Sequence, residues 1–254
     1  MKLGIFEINS SEKNVLVIAH RGAYSDALEN SMEGFKRAIE LKADYIELDI
    51  HKTLDGIPVI MHDTNTIRMT GKNGIIKSTT IKELKQLKLH NGEKIPTLQE
   101  VIQVAKGKIK LLCELKGKGT GLNVVKILRE KDMIDSTIIQ SFYVEELLEV
   151  KNIEPSFKLG LIVPITEEYL PEWAQRKNMI HEVLSFKFEY LITRFKNVNE
   201  KFINYSHKYD LKILVYPVNS KIITKRYINM GVDGLIVNNI SQTKAILRQL
   251  KDIF

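Results

Sequence analysis

Tyr45-Ile46-Glu47-Leu48-Asp49-Ile50 is a short apolar run with two carboxylates set into it two residues apart. Side chains alternate along a strand, so Glu47 and Asp49 share one face while Leu48 and Ile50 share the other. Similar runs recur at Val15–Ala19, Ile109–Leu115, Thr137–Ser141, Lys158–Val163, Tyr190–Thr193, Lys212–Tyr216 and Gly234–Val237. Helical patterns lie between most of them, as in Met32, Phe35, Ala38 and Ile39, or Ile246, Leu247 and Leu250. Apolar runs separated by helices predict parallel strands buried on both faces. Eight of them in 254 residues predict a TIM-type (β/α)8 barrel, one domain over residues 1–254. Two helix starts have capping-box spacing, Thr80 with Glu83 and Thr97 with Glu100.

One segment breaks the alternation. Thr53-Leu54-Asp55-Gly56-Ile57-Pro58 precedes the run Val59-Ile60-Met61, and Asp-Gly signals a tight hairpin. This predicts a small hairpin and helical insertion after the second strand, over about residues 51–96. With Asp55 and Gly56 as the central turn residues, Leu54 faces Ile57, Thr53 faces Pro58 and Asp49 faces His62. His62 then returns beside Glu47 and Asp49, on the face where barrel enzymes build their sites.

Composition narrows the function. The formal net charge of +7 favours anionic partners. Its lysines, among them Lys82, Lys85, Lys88, Lys106, Lys108 and Lys110, are spread along the chain and predict a solvated surface, with no nucleic-acid partner. Cys113 is the single cysteine, so no intrachain disulfide forms, which fits a reducing compartment. Met1 to Asn14 lacks the pattern of a signal peptide, and no stretch approaches a membrane span. A cytoplasmic location is expected.

Charged groups gather at the ends of three successive strands. His20-Arg21-Gly22 closes the first: a proton-exchanging ring, a planar cation suited to phosphate, and a residue that permits a tight exit. Glu47 and Asp49 close the second, and His51, further out on the same face, is not expected to be catalytic. Cys113-Glu114-Leu115-Lys116 closes the third, with Glu114 and Lys116 on one face and Cys113 opposite, a small core residue. Buried carboxylates need a cation or an ion-pair partner, so Glu47, Asp49 and Glu114 read as oxygen ligands for Mg²⁺ or Ca²⁺, or as partners of Lys116. Gly117-Lys118-Gly119-Thr120-Gly121 fits neither phosphate-loop spacing and reads as a flexible loop. His90, His181 and His207 are expected on the surface, and Trp173 either at the site mouth or in the core.

On these residues the chain resembles the glycerophosphodiester phosphodiesterases. That family's His-Arg, Glu-x-Asp and second His correspond to His20-Arg21, Glu47-x-Asp49 and His62. Glu29-Asn30-Ser31, Thr53-x-Asp55-Gly56-x-Pro58-Val59-x-x-His62-Asp63, Arg68-x-Thr70-x-x-x-Gly74, Ile95-Pro96-Thr97-Leu98-x-Glu100, Glu114-x-Lys116 and Ser141-Phe142 also match its pattern. The resemblance is strong over residues 15–142 and weaker beyond, where Tyr216-Pro217-Val218-Asn219 and Gly231–Asn238 depart from it. It implies hydrolysis of a small-molecule glycerophosphodiester to sn-glycerol 3-phosphate and an alcohol. His20 and His62 would be the acid–base pair, Glu47, Asp49 and Glu114 the ligands of one divalent cation, and Arg21 and Lys116 the phosphate contacts. Two alternatives remain: a phospholipase-like two-histidine barrel, and a non-catalytic barrel that binds a phosphodiester. A membrane-lipid enzyme would need an exposed apolar rim, and no obvious one stands out in the sequence.

Overall fold

A computed structural model describes residues 15–163 and 172–251. Nine strands follow in order: β1 (Leu16–Ala19), β2 (Tyr45–Lys52), β3 (Pro58–Ile60), β4 (Lys110–Leu115), β5 (Thr137–Ser141), β6 (Lys158–Ile162), β7 (Tyr190–Arg194), β8 (Lys212–Tyr216) and β9 (Gly234–Val237). All but β3 are parallel, and the β1–β2 and β1–β9 pairings close them into an eight-stranded barrel. The segment Met1 to Asn14 lies outside the described residues.

The helices of the outer layer and the insertion are α1 (Met32–Glu40), α2 (Ile67–Thr70), α3 (Ile81–Leu84), α4 (Leu98–Ala105), α5 (Gly121–Glu130), α6 (Val144–Ile153), α7 (Trp173–Ser185), α8 (Glu200–His207), α9 (Lys221–Met230) and α10 (Ile240–Lys251). Both expected capping boxes are present, Thr80 with Glu83 opening α3 and Thr97 with Glu100 opening α4. None of the described helices is long and apolar enough to cross a membrane.

Strand alternation sorts the barrel into two cores. Ile46, Leu48, Ile50, Leu111, Cys113 and Leu115 pack outward among the helices. Ile18, Tyr45, Leu112, Ile138, Ile162, Tyr190, Ile192, Leu214 and Ile236 fill the interior. Continuing the inward face of β2 and β4 toward the strand ends brings up Glu47, Asp49 and Glu114. Asp49 stands opposite Glu114 in the β2–β4 register. An apolar plug thus underlies a polar floor, as the alternation predicts.

The hairpin departs from the expected register by one residue. Ile50 pairs with Ile60, His51 with Val59 and Lys52 with Pro58. The Met61 N–H donates to the Asp49 carbonyl, so Met61 and not His62 stands opposite Asp49. The turn holds three residues, Leu54, Asp55 and Gly56. The Gly56 N–H donates to Thr53 O, and Gly56 takes a φ of +82°. A three-residue hairpin needs that left-handed residue at its end, and glycine supplies it without strain. The antiparallel β3 also explains why β2 runs on to Lys52, past the expected Ile50.

Candidate active site

His20 follows β1 and stands beside the barrel's last strand. Its N–H donates to Val237 O, and its Nδ1 is 2.7 Å from Asn238 Oδ1. Arg21 adopts a φ of +53°, held there by its own N–H donating to Glu47 Oε2 at 2.7 Å. The Arg21 guanidinium pairs with Glu29 at 3.1 Å and approaches Asp49 at 3.3 Å. Gly22 has a φ of +89°, and a side chain there would press on the Gly34 backbone at 3.0 Å, so the exit from β1 requires glycine. Asn30 donates to Asp49 Oδ2 at 2.8 Å. Arg21 and Asn30 therefore position the β2 carboxylates, with Glu29 holding the Arg21 guanidinium.

His62 enters the same cleft from the hairpin's return, although the shifted register takes it out of the ladder. The ladder ends at Ile60, so residue 62 is free of strand parity. His51 Nε2 lies 3.2 Å from the His62 carbonyl, and Asp63 Oδ1 lies 2.8 Å from His62 Nδ1. Arg68 bridges Asp63 to the buried Glu29. Hydrogen bonds from Arg68 hold the Asp63 carboxyl down at about 2, so it remains ionised beside the ring.

Glu47, Asp49 and Glu114 are all buried and can bring one oxygen each within 4.8 Å of the others. Lys116 lies 2.9 Å from Glu114 and 3.4 Å from Asp49, so the ion pairs the sequence allowed are present. Burial and the neighbouring Asp49 push the Glu114 carboxyl up to about 7. Burial, with Asp49 and Glu114 beside it, raises Glu47 well above the carboxylate range. For Asp49 burial is outweighed by Lys116 and Arg21, and its pKa falls. Burial and the adjacent Arg21 lower His20. Three acids with too little positive charge are a site suited to a cation.

The cleft has a volume of about 310 Å³. His20, Arg21, Glu47, Asp49, His62, Glu114 and Lys116 all line it, so every expected site residue converges there. Gln140, beside Glu114 on β5, also lines it, and its buried Oε1 has no hydrogen-bond partner among the described residues. Phe142, Ile162, Ile192, Arg194, Tyr216 and Ile236 also line it. Sequence reasoning did not single out Gln140, Arg194 or Asn238, nor the Asp63–Arg68–Glu29 chain behind His62. Glu29, Asp63 and Arg68 carried a signal nonetheless, since all three fall in the motifs that match the family.

Other residues stand apart from the cleft. Trp173 opens α7 in the outer layer, edge-on to Tyr205, with Lys201 above it. His90 and His181 are exposed, and the half-buried His207 pairs with Asp233. The loop read as flexible is tied down: the N–H groups of Gly119, Thr120 and Gly121 donate to Glu146 of α6, so they offer no phosphate cradle. Cys113 is buried in the outer core, and burial raises its thiol pKa. Cys113→Ser is therefore expected to keep kcat within a fewfold of the parent. A loss beyond tenfold in folded protein would put the thiol in the reaction.

A second cavity, about 760 Å³, adjoins the first, with Lys116 in the wall of both. The hairpin, the insertion and the β4–α5 loop enclose it. Leu54, Ile75 and Tyr143 line it and are 64%, 49% and 41% exposed. The hairpin tip and insertion bring together residues that lie far apart in sequence.

Comparison with known proteins places these features. The model of the glycerophosphoryl diester phosphodiesterase family matches residues 20–242. A glycerophosphodiester phosphodiesterase of Caldanaerobacter subterraneus is 32% identical, covering 88% of this chain and 94% of its own. The putative glycerophosphodiester phosphodiesterase YhdW of Bacillus subtilis is 31% identical, covering 87% and 93%. A phosphodiesterase from Oleispira antarctica, solved with the product sn-glycerol-3-phosphate, superposes with a TM-score of 0.81 at 25% identity, covering 92% and 96%.

Proposed function

The chain belongs to the glycerophosphoryl diester phosphodiesterase family, and on that premise we propose that it hydrolyses glycerophosphodiesters to sn-glycerol 3-phosphate and an alcohol. The observation that carries this reading is the convergence of two histidines, three carboxylates and two cationic side chains in one cleft.

Glu47, Asp49 and Glu114 would hold one divalent cation, Mg²⁺ or Ca²⁺. The fit rests on the donor set: hard oxygens, buried together, two of them with raised pKa values. Gln140 Oε1, buried and without a hydrogen-bond partner among the described residues, adds a neutral oxygen beside Glu114. When bound, the cation would offset the negative charge that builds on the phosphoryl oxygens. Arg21 and Lys116 bring positive charge to the same oxygens.

The two rings differ in their partners. His20 has a neutral amide at Nδ1 and a lowered pKa, so it enters the reaction unprotonated and takes the proton of the attacking hydroxyl. His62 has the ionised Asp63 at Nδ1, a partner suited to a positively charged ring, and gives its proton to the leaving alkoxide. In each case the Nδ1 contact leaves Nε2 for the substrate.

A coupled assay for glycerol 3-phosphate released from glycerophosphodiesters, with and without chelator, tests this reading. Absence of release under any metal condition would sink it. Lys116→Ala is expected to lower kcat/KM by roughly 10–10²-fold, and Lys116→Arg to restore only part, since a planar fork does not replace a compact ammonium. Unchanged kcat/KM in the alanine variant would reduce Lys116 to a structural partner of Glu114 and Asp49.

A further inference from the structure

The second cavity has no part in the chemistry above, yet it opens beside the cleft across Lys116. We propose that it receives the alcohol end of the substrate and favours alcohols that carry a further anionic group, a phosphate or a carboxylate. This rests on the functional reading just given and deepens it.

The charge on its walls is one-sided. Lys52, Lys77, Lys116 and Lys118 line the cavity, and among the described residues no carboxylate does. Lys116 is balanced by Glu114 and Asp49. Lys52 Nζ donates to the Gly119 carbonyl at 2.7 Å, which satisfies a donor and leaves its charge unneutralised. Lys77 and Lys118 make no ion pair among the described residues. The nearby Glu146 is turned to the backbone of residues 119–121. Concave walls of one sign focus their field on whatever enters, and an anion is drawn in.

Size and lining narrow the class. The cavity exceeds the catalytic cleft in volume, so it accommodates a polyol or amino-acid head group with its own charged substituent. Leu54, Ile75 and Tyr143 give the carbon skeleton of that group an apolar wall. Attraction across the cavity mouth would act mainly on capture, hence on kcat/KM, and would weaken with salt.

The test compares three diesters at low ionic strength: glycerophosphoglycerol, the same compound bearing a terminal phosphate, and glycerophosphocholine. The phosphorylated diester should show roughly tenfold higher kcat/KM than glycerophosphoglycerol, whose alcohol end is uncharged, and the choline ester the lowest of the three. In Lys77→Glu/Lys118→Glu, whose thermal melt checks folding at these exposed positions, the ratio between the first two should collapse toward one. A parental ratio near one, or a ratio that survives the charge reversal, overturns this inference and leaves the functional reading standing. No glycerol 3-phosphate from any of the three overturns both. A double variant that loses binding to phosphatidylglycerol vesicles while keeping the ratio would make these lysines a lipid-surface contact, and overturn the inference as well.

Discussion

Alanine at His20 or at His62 is expected to lower kcat by roughly 10²–10⁴-fold, the span of one acid–base group. The double variant should lose less than the product of the two, because groups that act in one proton sequence are not additive. The leaving group separates their roles. A nitrophenyl diester departs without protonation, so it should restore much of the rate to His62→Ala and little to His20→Ala. The reverse pattern would exchange the assignments drawn from Asn238 and Asp63. Equal rescue would end the division into one acid and one base, and near-normal turnover in either single variant removes that ring from the mechanism.

Chelation should abolish turnover, with Mg²⁺ or Ca²⁺ restoring it, and should also leave a mark on stability. Glu114 ionises near 7 in the folded protein against an ordinary 4.5. Between those values the folded state holds a proton that the unfolded state has released, so unfolding free energy falls as pH rises. The loss is roughly 3 kcal/mol across that window. Glu47 adds to it in the same direction. Asp49, with its lowered pKa, works oppositely, contributing stability that disappears only as the pH drops below the carboxylate range. In metal-free protein the two acids with raised pKa values should lower the melting temperature at pH 7 relative to pH 5, a difference that His20 and His51, with lowered pKa values, partly offset. Added cation should recover the difference at pH 7, and Glu114→Gln should flatten it. Full turnover after exhaustive chelation, or a melting temperature at pH 7 that ignores the cation, would argue against a metal at these three carboxylates.

The barrel was legible because its signal is local. Each strand is a short apolar run, and the parity of Glu47, Asp49, Glu114 and Lys116 follows from strand geometry alone. The hairpin register was not, because Asp55-Gly56 serves a two-residue turn and the end of a three-residue turn equally well. The contacts behind the histidines were hidden for another reason. Asn238 reaches His20 across 218 positions of sequence, a meeting that only closure of the barrel arranges. The lysine-lined cavity is similar: Lys52, Lys77 and Lys118 look like scattered surface charges until the hairpin folds over the β4–α5 loop.

The one-residue shift in the hairpin marks where this barrel keeps its reading frame and where it has stopped doing so. Within Tyr45–Asp49 every residue is counted: one added position would turn Glu47 and Asp49 toward the helices and put Leu48 into the cleft. Beyond Met61 no bond to β2 counts residues, and the turn at Leu54–Gly56 lies outside the paired strands. Insertions and deletions of a single residue should thus abolish soluble expression or activity at positions 45–49 and be borne at 54–56. A scan of such variants for soluble yield and turnover would measure that boundary, and equal tolerance at both would contradict it. The segment free to vary in length is the one that walls the lysine-lined cavity, so new preferences for the alcohol can accumulate there without disturbing the parity of the acids.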